Sequence, residues 1–170
     1  NLGTLSLTEC FVSTSGGYER FFERDGEKYC HIIDLSTGKP VKSNLLSVTV
    51  IGQSGIETDF LSTCIYIKGE AGLDEFFKKN EGQYNAIHFC GGNLSSIAPI
   101  YYAYKYKIPI RIIHSHSSDS QGMVNKILHL INRRFVPLLS TCNLACSSLA
   151  AKYFFGKKDC TIVKNGVDTN

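Results

Sequence analysis

The chain has no apolar run approaching the roughly 18 to 20 residues of a membrane-spanning helix, and its first residues, Asn1-Leu2-Gly3-Thr4-Leu5-Ser6, lack the basic-then-apolar order of a signal peptide. A soluble, cytoplasmic chain is expected. It also lacks a strong excess of charge: 18 basic against 15 acidic residues leave +3, too little for the concentrated basic face of a nucleic-acid reader. No nucleic-acid partner is expected. CxxC pairs are missing too. The seven cysteines (10, 30, 64, 90, 142, 146, 160) are odd in number and lie in apolar segments, which points to reduced, buried thiols rather than a disulfide framework. Finally, 170 residues are too few for a complete (β/α)8 barrel of typical size.

What is present suffices for a folded core. Apolar residues make up 43% and charged residues 19%, and a chain of this length buries roughly 70% of its unfolded surface. The length suits one domain or half of a two-domain enzyme. The chain opens on Asn1 rather than methionine and stops on Asn170, so both ends read as cuts.

The second half alternates strand-like and helix-like stretches. Tyr84 to Cys90 reads as a strand closed by Gly91-Gly92, with Asn93 capping a helix from Leu94 to Lys107 in which Pro99 fits only near the first turn or as a kink. Ile108 to His114 is a strand suited to cover on both faces. Val124, Ile127, Leu128, Ile131, Phe135 and Leu138 then form one stripe of a helix over 123 to 139, which reads as a core stripe, with Lys126, Arg133 and Arg134 off it. Cys142 to Cys146, Ser147 to Gly156 and Thr161 to Lys164 follow as strand, helix and strand, entering the turn Asn165-Gly166. This rhythm predicts an α/β fold with a mostly parallel sheet. In the first half, strands are expected at Ser6 to Ser13, Tyr29 to Leu35, Leu45 to Ile51 and Cys64 to Ile67, and helices at Tyr18 to Arg24 and Leu73 to Lys79.

The densest polar cluster is His114-Ser115-His116-Ser117-Ser118-Asp119, at the carboxyl end of a strand, where open parallel sheets bind ligands. A His-x-His pair can ligate a metal, act as general base, or contact a ligand hydroxyl. The metal reading is similar to the polymerase-and-histidinol-phosphatase class of phosphoesterases. Of the 170 residues only 54 follow His116, too few for the remaining ligands of such a barrel. No metal is therefore assigned.

Taken in order, Asn-Ala-Ile-His88-Phe-Cys-Gly-Gly, Ile-Pro109-Ile-Arg-Ile-Ile-His114-Ser-His116, Ala-Cys146-Ser147-Ser, Phe-Phe-Gly156 and Ile-Val-Lys-Asn165-Gly166-Val-Asp168 resemble the amino-terminal, acceptor-side domain of GT-B retaining glycosyltransferases of family four, especially those of capsular and exopolysaccharide biosynthesis. The resemblance covers residues 84 to 168. It implies a single Rossmann-like, doubly wound domain over 1–170, its first half (1–83) poorly resolved, with the carboxyl-terminal donor domain absent. It implies transfer of a sugar from a nucleotide-sugar donor to a glycan or lipid-linked acceptor, with no cofactor and no metal, on the cytoplasmic side of the membrane; alone, the chain would bind without turning over. On the same analogy His116, or His114 in the alternative register, lies in the cleft and balances transition-state charge. Gly16 and Gly17 would serve as the glycine-rich turn, with Ser54 to Thr58 as the alternative. His88, Gly91, Gly92, Asn93 and Ser117 would line the acceptor side, and Asn165, Gly166 and Asp168 would enter the interdomain linker. Lys126, Arg133 and Arg134 can contact an anionic bilayer. A non-catalytic sugar-binding module is the other alternative.

Overall fold

The computed structural model describes residues 7–18, 20–43, 45–117 and 122–164. The chain divides into two compact units, Ser6–Phe76 and Phe77–Asn170, and each is described by itself.

In the first unit, β1 (Phe11–Gly16) pairs antiparallel with β6 (Ser47–Gly52), Ser13 opposite Val50 and Ser15 opposite Val48. Between them lie two hairpins. β2 (Phe21–Arg24) and β3 (Glu27–Cys30) join at Asp25-Gly26, both at positive φ (55° and 76°), the backbone that a tight hairpin requires. The ring of Phe22 stacks on Tyr29 across this pair at 5.2 Å. That turn and cross-strand pair hold Phe21–Arg24 extended, where a helix over Tyr18 to Arg24 is expected. β4 (Ile33–Asp34) and β5 (Lys39–Pro40) form the other hairpin, so the expected strand Tyr29 to Leu35 is divided between two.

Helix α1 (Gly55–Lys68) replaces the expected strand at Cys64 to Ile67. Its start is written in the sequence as Ser-x-x-Glu: the Ser54 hydroxyl accepts from the Glu57 amide at 3.3 Å, satisfying one of the helix's otherwise orphan donors. Gly69 ends it at φ 57°. The buried residues Thr58, Ser62 and Tyr66 recur every fourth position, whereas Ile56 and Phe60 are exposed. α1 therefore buries a polar stripe.

The second unit is an α/β sandwich of regular rhythm. α2 (Leu73–Lys79), with the bounds expected, starts in the first unit and ends in the second. Four parallel strands follow, β7 (Ala86–Gly91), β8 (Ile110–Ser115), β9 (Cys142–Ala145) and β10 (Thr161–Ile162), in the order β10-β9-β8-β7. They are linked by α3 (Ala98–Lys105), α4 (Met123–Asn132), α5 (Val136–Leu139) and α6 (Ser148–Phe155). The core gathers Leu94, Ile100, Ile113, Val136, Leu139, Ala145, Phe154 and Phe155. α3 begins at Ala98 rather than Leu94 because Pro99 fits the first turn. Asn93 instead closes a local turn, its Oδ1 accepting from the Ser95 amide at 2.8 Å. Arg111 of the Ile-Pro-Ile-Arg segment donates to the carbonyls of Leu139 (2.6 Å) and Ile108 (2.5 Å). That motif thus satisfies buried backbone acceptors.

The helix expected over 123 to 139 is broken into α4 and α5, and its apolar stripe is not core: Val124 is 69% and Leu138 70% exposed. Within α4 the buried residue is His129. Its Nδ1 accepts from the Leu94 amide at 3.0 Å and its Nε2 lies 3.1 Å from the Tyr153 carbonyl, which fixes the proton on Nε2. Asn132 donates to the Leu94 carbonyl at 2.7 Å. All seven cysteines are free, as expected, but only Cys30 is buried and Cys90 is exposed. No helix among the described residues is long and apolar enough to cross a membrane.

Candidate functional site

Two polar clusters stand out, one in each unit. In the second, parallel pairing sets Cys90 beside His114 and Gly91 beside Ser115. Residues two apart on a strand share a face, so His88, Cys90 and His114 lie on the same side of the sheet. His88 Nε2 is 3.2 Å from His114 Nδ1 and 3.5 Å from Cys90 Sγ. The His114 ring, 3% exposed, has its Nε2 without a hydrogen-bond partner among the described residues, and the His116 ring tilts over it at 4.0 Å. Burial, then the charges of His116 and His88, pushes His114 down to about 4; burial, then His116, lowers His88 as well. Both imidazoles are neutral at pH 7, with lone pairs available. Burial pushes the Cys90 thiol up.

Several expected site residues meet here. The His116 amide donates to the Gly91 carbonyl at 3.3 Å, Gly92 approaches the Ser117 side chain, and Ser115 donates to the Ser117 carbonyl at 3.1 Å. Asn93 lies just beyond, in its turn with Ser95. Cys90 was legible as a candidate only through the His-x-Cys alternation of a strand.

The first unit carries a row of oxygens that sequence reasoning missed. Ser13 and Ser15 share a face of β1, and Asp59 and Thr63 are four apart on α1, so both pairs repeat at roughly 6 to 7 Å and can meet in register. Ser13 Oγ donates to Asp59 Oδ1 at 2.7 Å; Ser15 Oγ lies 2.9 Å from both Ser62 Oγ and Thr63 Oγ1. The row runs from the exposed Asp59 to the fully buried Ser62.

Gly16 and Gly17 do not link a strand to a helix. Gly16 ends β1 opposite Ser47, and Gly17 lies so close to α1 that a Cβ there would sit 2.5 Å from the Tyr66 hydroxyl. Burial raises the pKa of that hydroxyl. Of the expected basic face, Lys126 and Arg134 are exposed. Arg133 is half-buried, its guanidinium against Gly156, in a cavity of about 520 Å³ shared with Lys152 and Lys157. Asn165, Gly166 and Asp168, like Ser118 and Asp119, lie outside the described residues.

Comparison with known proteins corrects the glycosyltransferase expectation. The curated FAD:protein FMN transferase of Treponema pallidum is 45% identical over 65 residues, 38% of this chain and 18% of that protein. The enzyme of the same name from Vibrio cholerae is 44% identical over 59 residues, 35% of this chain and 18% of that one. The chain thus spans about a fifth of the length of these relatives. The solved apo flavinyl transferase ApbE of Pseudomonas stutzeri is 40% identical, covers 45% of this chain and 24% of that one, and has a TM-score of 0.39.

These relatives are named for FAD and a protein acceptor, not a nucleotide sugar and a glycan. The expected recognition, sugar-transfer activity, polysaccharide role, partners and cofactor-free chemistry give way accordingly, as do the phosphoesterase and sugar-binding alternatives. The resemblance rested on short strand-end motifs in residues 84 to 168. Such motifs recur because every parallel α/β sheet needs glycines, prolines and polar loop residues at those positions. The ApbE family profile matches residues 1–88, just over half of the chain and the half that holds the serine, threonine and aspartate row, and the chain belongs to the ApbE family.

Proposed function

We propose that the protein carrying this chain is a FAD:protein FMN transferase. The observation that carries the reading is the family match over residues 1–88, together with the shared name of the curated relatives. In such a transfer the acceptor group on the target protein attacks the phosphorus of the FMN phosphate. The pyrophosphate bond to that phosphorus breaks, AMP leaves with the bridging oxygen, and the acceptor's proton is lost. The demand on the protein is electrostatic: negative charge on the phosphates has to be held and offset while they are positioned.

The oxygen row on β1 and α1 fits that demand. A carboxylate and hydroxyls are the donors that a hard divalent cation takes. Asp59, with the hydroxyls of Ser13, Ser15 and Thr63, would hold such an ion, which when bound supplies positive charge to the pyrophosphate. The Ser13 bond orients the Asp59 carboxylate, and the buried Ser15–Ser62 pair fixes the height of the strand against the helix. We read the parallel sheet of the second unit as part of a doubly wound, Rossmann-like arrangement, its ligand-binding edge at the carboxyl ends of β7 and β8.

The test is direct. The full-length protein is incubated with FAD and the unmodified, flavin-free form of a protein domain of the kind that accepts covalent FMN. The denatured acceptor is expected to become fluorescent in a gel and to gain the mass of one FMN less water, with AMP released in equal amount. An acceptor that remains colourless and unchanged in mass, with FAD intact, defeats the reading.

A further inference from the structure

We infer that His88, Cys90 and His114 form a binding site for a single transition-metal ion of the zinc class. The first argument is geometric. One nitrogen or sulfur from each residue lies within 4.8 Å of the other two, with the contacts to His88 Nε2 at 3.2 Å from nitrogen and 3.5 Å from sulfur. A tetrahedral ion about 2.05 Å from nitrogen and about 2.3 Å from sulfur sets its ligands about 3.3 Å (N to N) and about 3.6 Å (N to S) apart. Both contacts of His88 Nε2 are already at the edge lengths of that tetrahedron.

The second argument is satisfaction. His88 Nε2 is a single atom with either one proton or one lone pair, yet it faces both His114 Nδ1 and Cys90 Sγ. Protons alone make only one good bond there, whereas a cation at the centre serves all three lone pairs. His114 is also deeply buried, so its Nδ1, held 3.2 Å from His88 Nε2, is turned toward the other two donors and away from bulk water.

The third argument is chemical class. Two imidazoles and one thiol suit zinc or cuprous copper and not magnesium or calcium, which take oxygen. Three protein ligands leave a fourth position for water or a small ligand, as in reactive rather than purely structural zinc sites. On binding, the Cys90 thiol gives up its proton to solvent and the ion takes its place. The site stands apart from the flavin-transfer reading, since its donors differ in kind and its readout does not involve FAD.

The experiment uses the full chain, stripped of metal by a chelator. Zinc affinity is measured by competition with a chromophoric chelator, and cobalt(II) serves as a spectroscopic probe. The expected result is one zinc per chain and a cobalt spectrum with a thiolate-to-metal charge-transfer band. Cys90→Ser, a conservative change at an exposed position, removes that band and weakens zinc by about ten-fold or more. Cys160→Ser leaves both unchanged, and circular dichroism checks that each variant is folded. His88→Ala weakens zinc while keeping a thiolate band of altered shape. Absence of zinc binding in the parent chain, survival of the charge-transfer band in Cys90→Ser, or equal zinc affinity in His88→Ala and parent each overturns the proposal.

Discussion

The two units carry polar clusters of opposite character. The row on β1 and α1 is built of oxygens, hydroxyl against hydroxyl and hydroxyl against carboxylate, whereas the cluster on β7 and β8 is built of imidazole nitrogens and a thiol. Oxygen donors suit hard ions and phosphates; nitrogen and sulfur donors suit softer metals. The difference teaches that donor type alone makes the two clusters suited to different ligands. It also separates two kinds of sequence information, since the family match falls on residues 1–88 and the strand-end motifs on residues beyond 84.

The sharpest way to break the comparison is to remove charge from the oxygen row without changing its shape. Asp59→Asn keeps an acceptor for Ser13 and is expected to slow FMN transfer by about 100-fold, as measured by the rate at which acceptor fluorescence develops. A rate within two-fold of the parent shows that the row is structural only. Next in size is His129→Leu, which removes the acceptor of the buried Leu94 amide. The expected loss is about 2 kcal/mol of stability, read from urea denaturation, and no loss means that water replaces the imidazole.

Gly17→Ala drives a methyl toward the Tyr66 hydroxyl and is expected to cost about 1 to 3 kcal/mol. A thermal melt of the first unit's signal checks it, and Tyr66→Phe should recover part of the loss. The parent's pH dependence is a smaller effect. Burial holds His129 below its usual pKa, so the unfolded chain binds more protons than the folded one below about pH 6.5. The His129 contribution is therefore complete above that value and declines as pH falls from there through the depressed folded-state pKa. Denaturation midpoints at several pH values should show this decline, and His129→Leu should flatten part of it. Smallest is Ser62→Ala, which deletes one buried hydroxyl pair at about 1 kcal/mol.

The second unit was the more legible in sequence because its signals are local. Ser147 starts α6, accepting from the Ala150 amide at 3.2 Å, and Gly156 ends it at φ 70°; apolar runs between turn residues mark β7, β8 and β9. His88, His114 and His116 stand out as candidates from their place at strand ends. Cys90 is harder to single out, because in sequence it resembles the other six thiols of apolar segments. α1 was misread for a physical reason: its buried side is Thr58, Ser62 and Tyr66, so hydrophobic periodicity points away from the core, and Cys64-Ile65-Tyr66-Ile67 reads as β-rich. The segment Ser54-Gly55-Ile56-Glu57 also reads as a glycine turn, but the three-residue spacing of Ser54 and Glu57 identifies the helix start.

α4 gives the last lesson. Both backbone groups of Leu94 are met by side chains of this one helix, the amide by His129 and the carbonyl by Asn132. Directional bonds, rather than adhesive area, choose its orientation. Sliding the sequence along the helix by one residue turns each side chain about 100° around the axis, and both partners of Leu94 would swing away together. The helix is keyed like a lock with two pins, and its rotational setting survives changes among the apolar residues that a greasy contact would not.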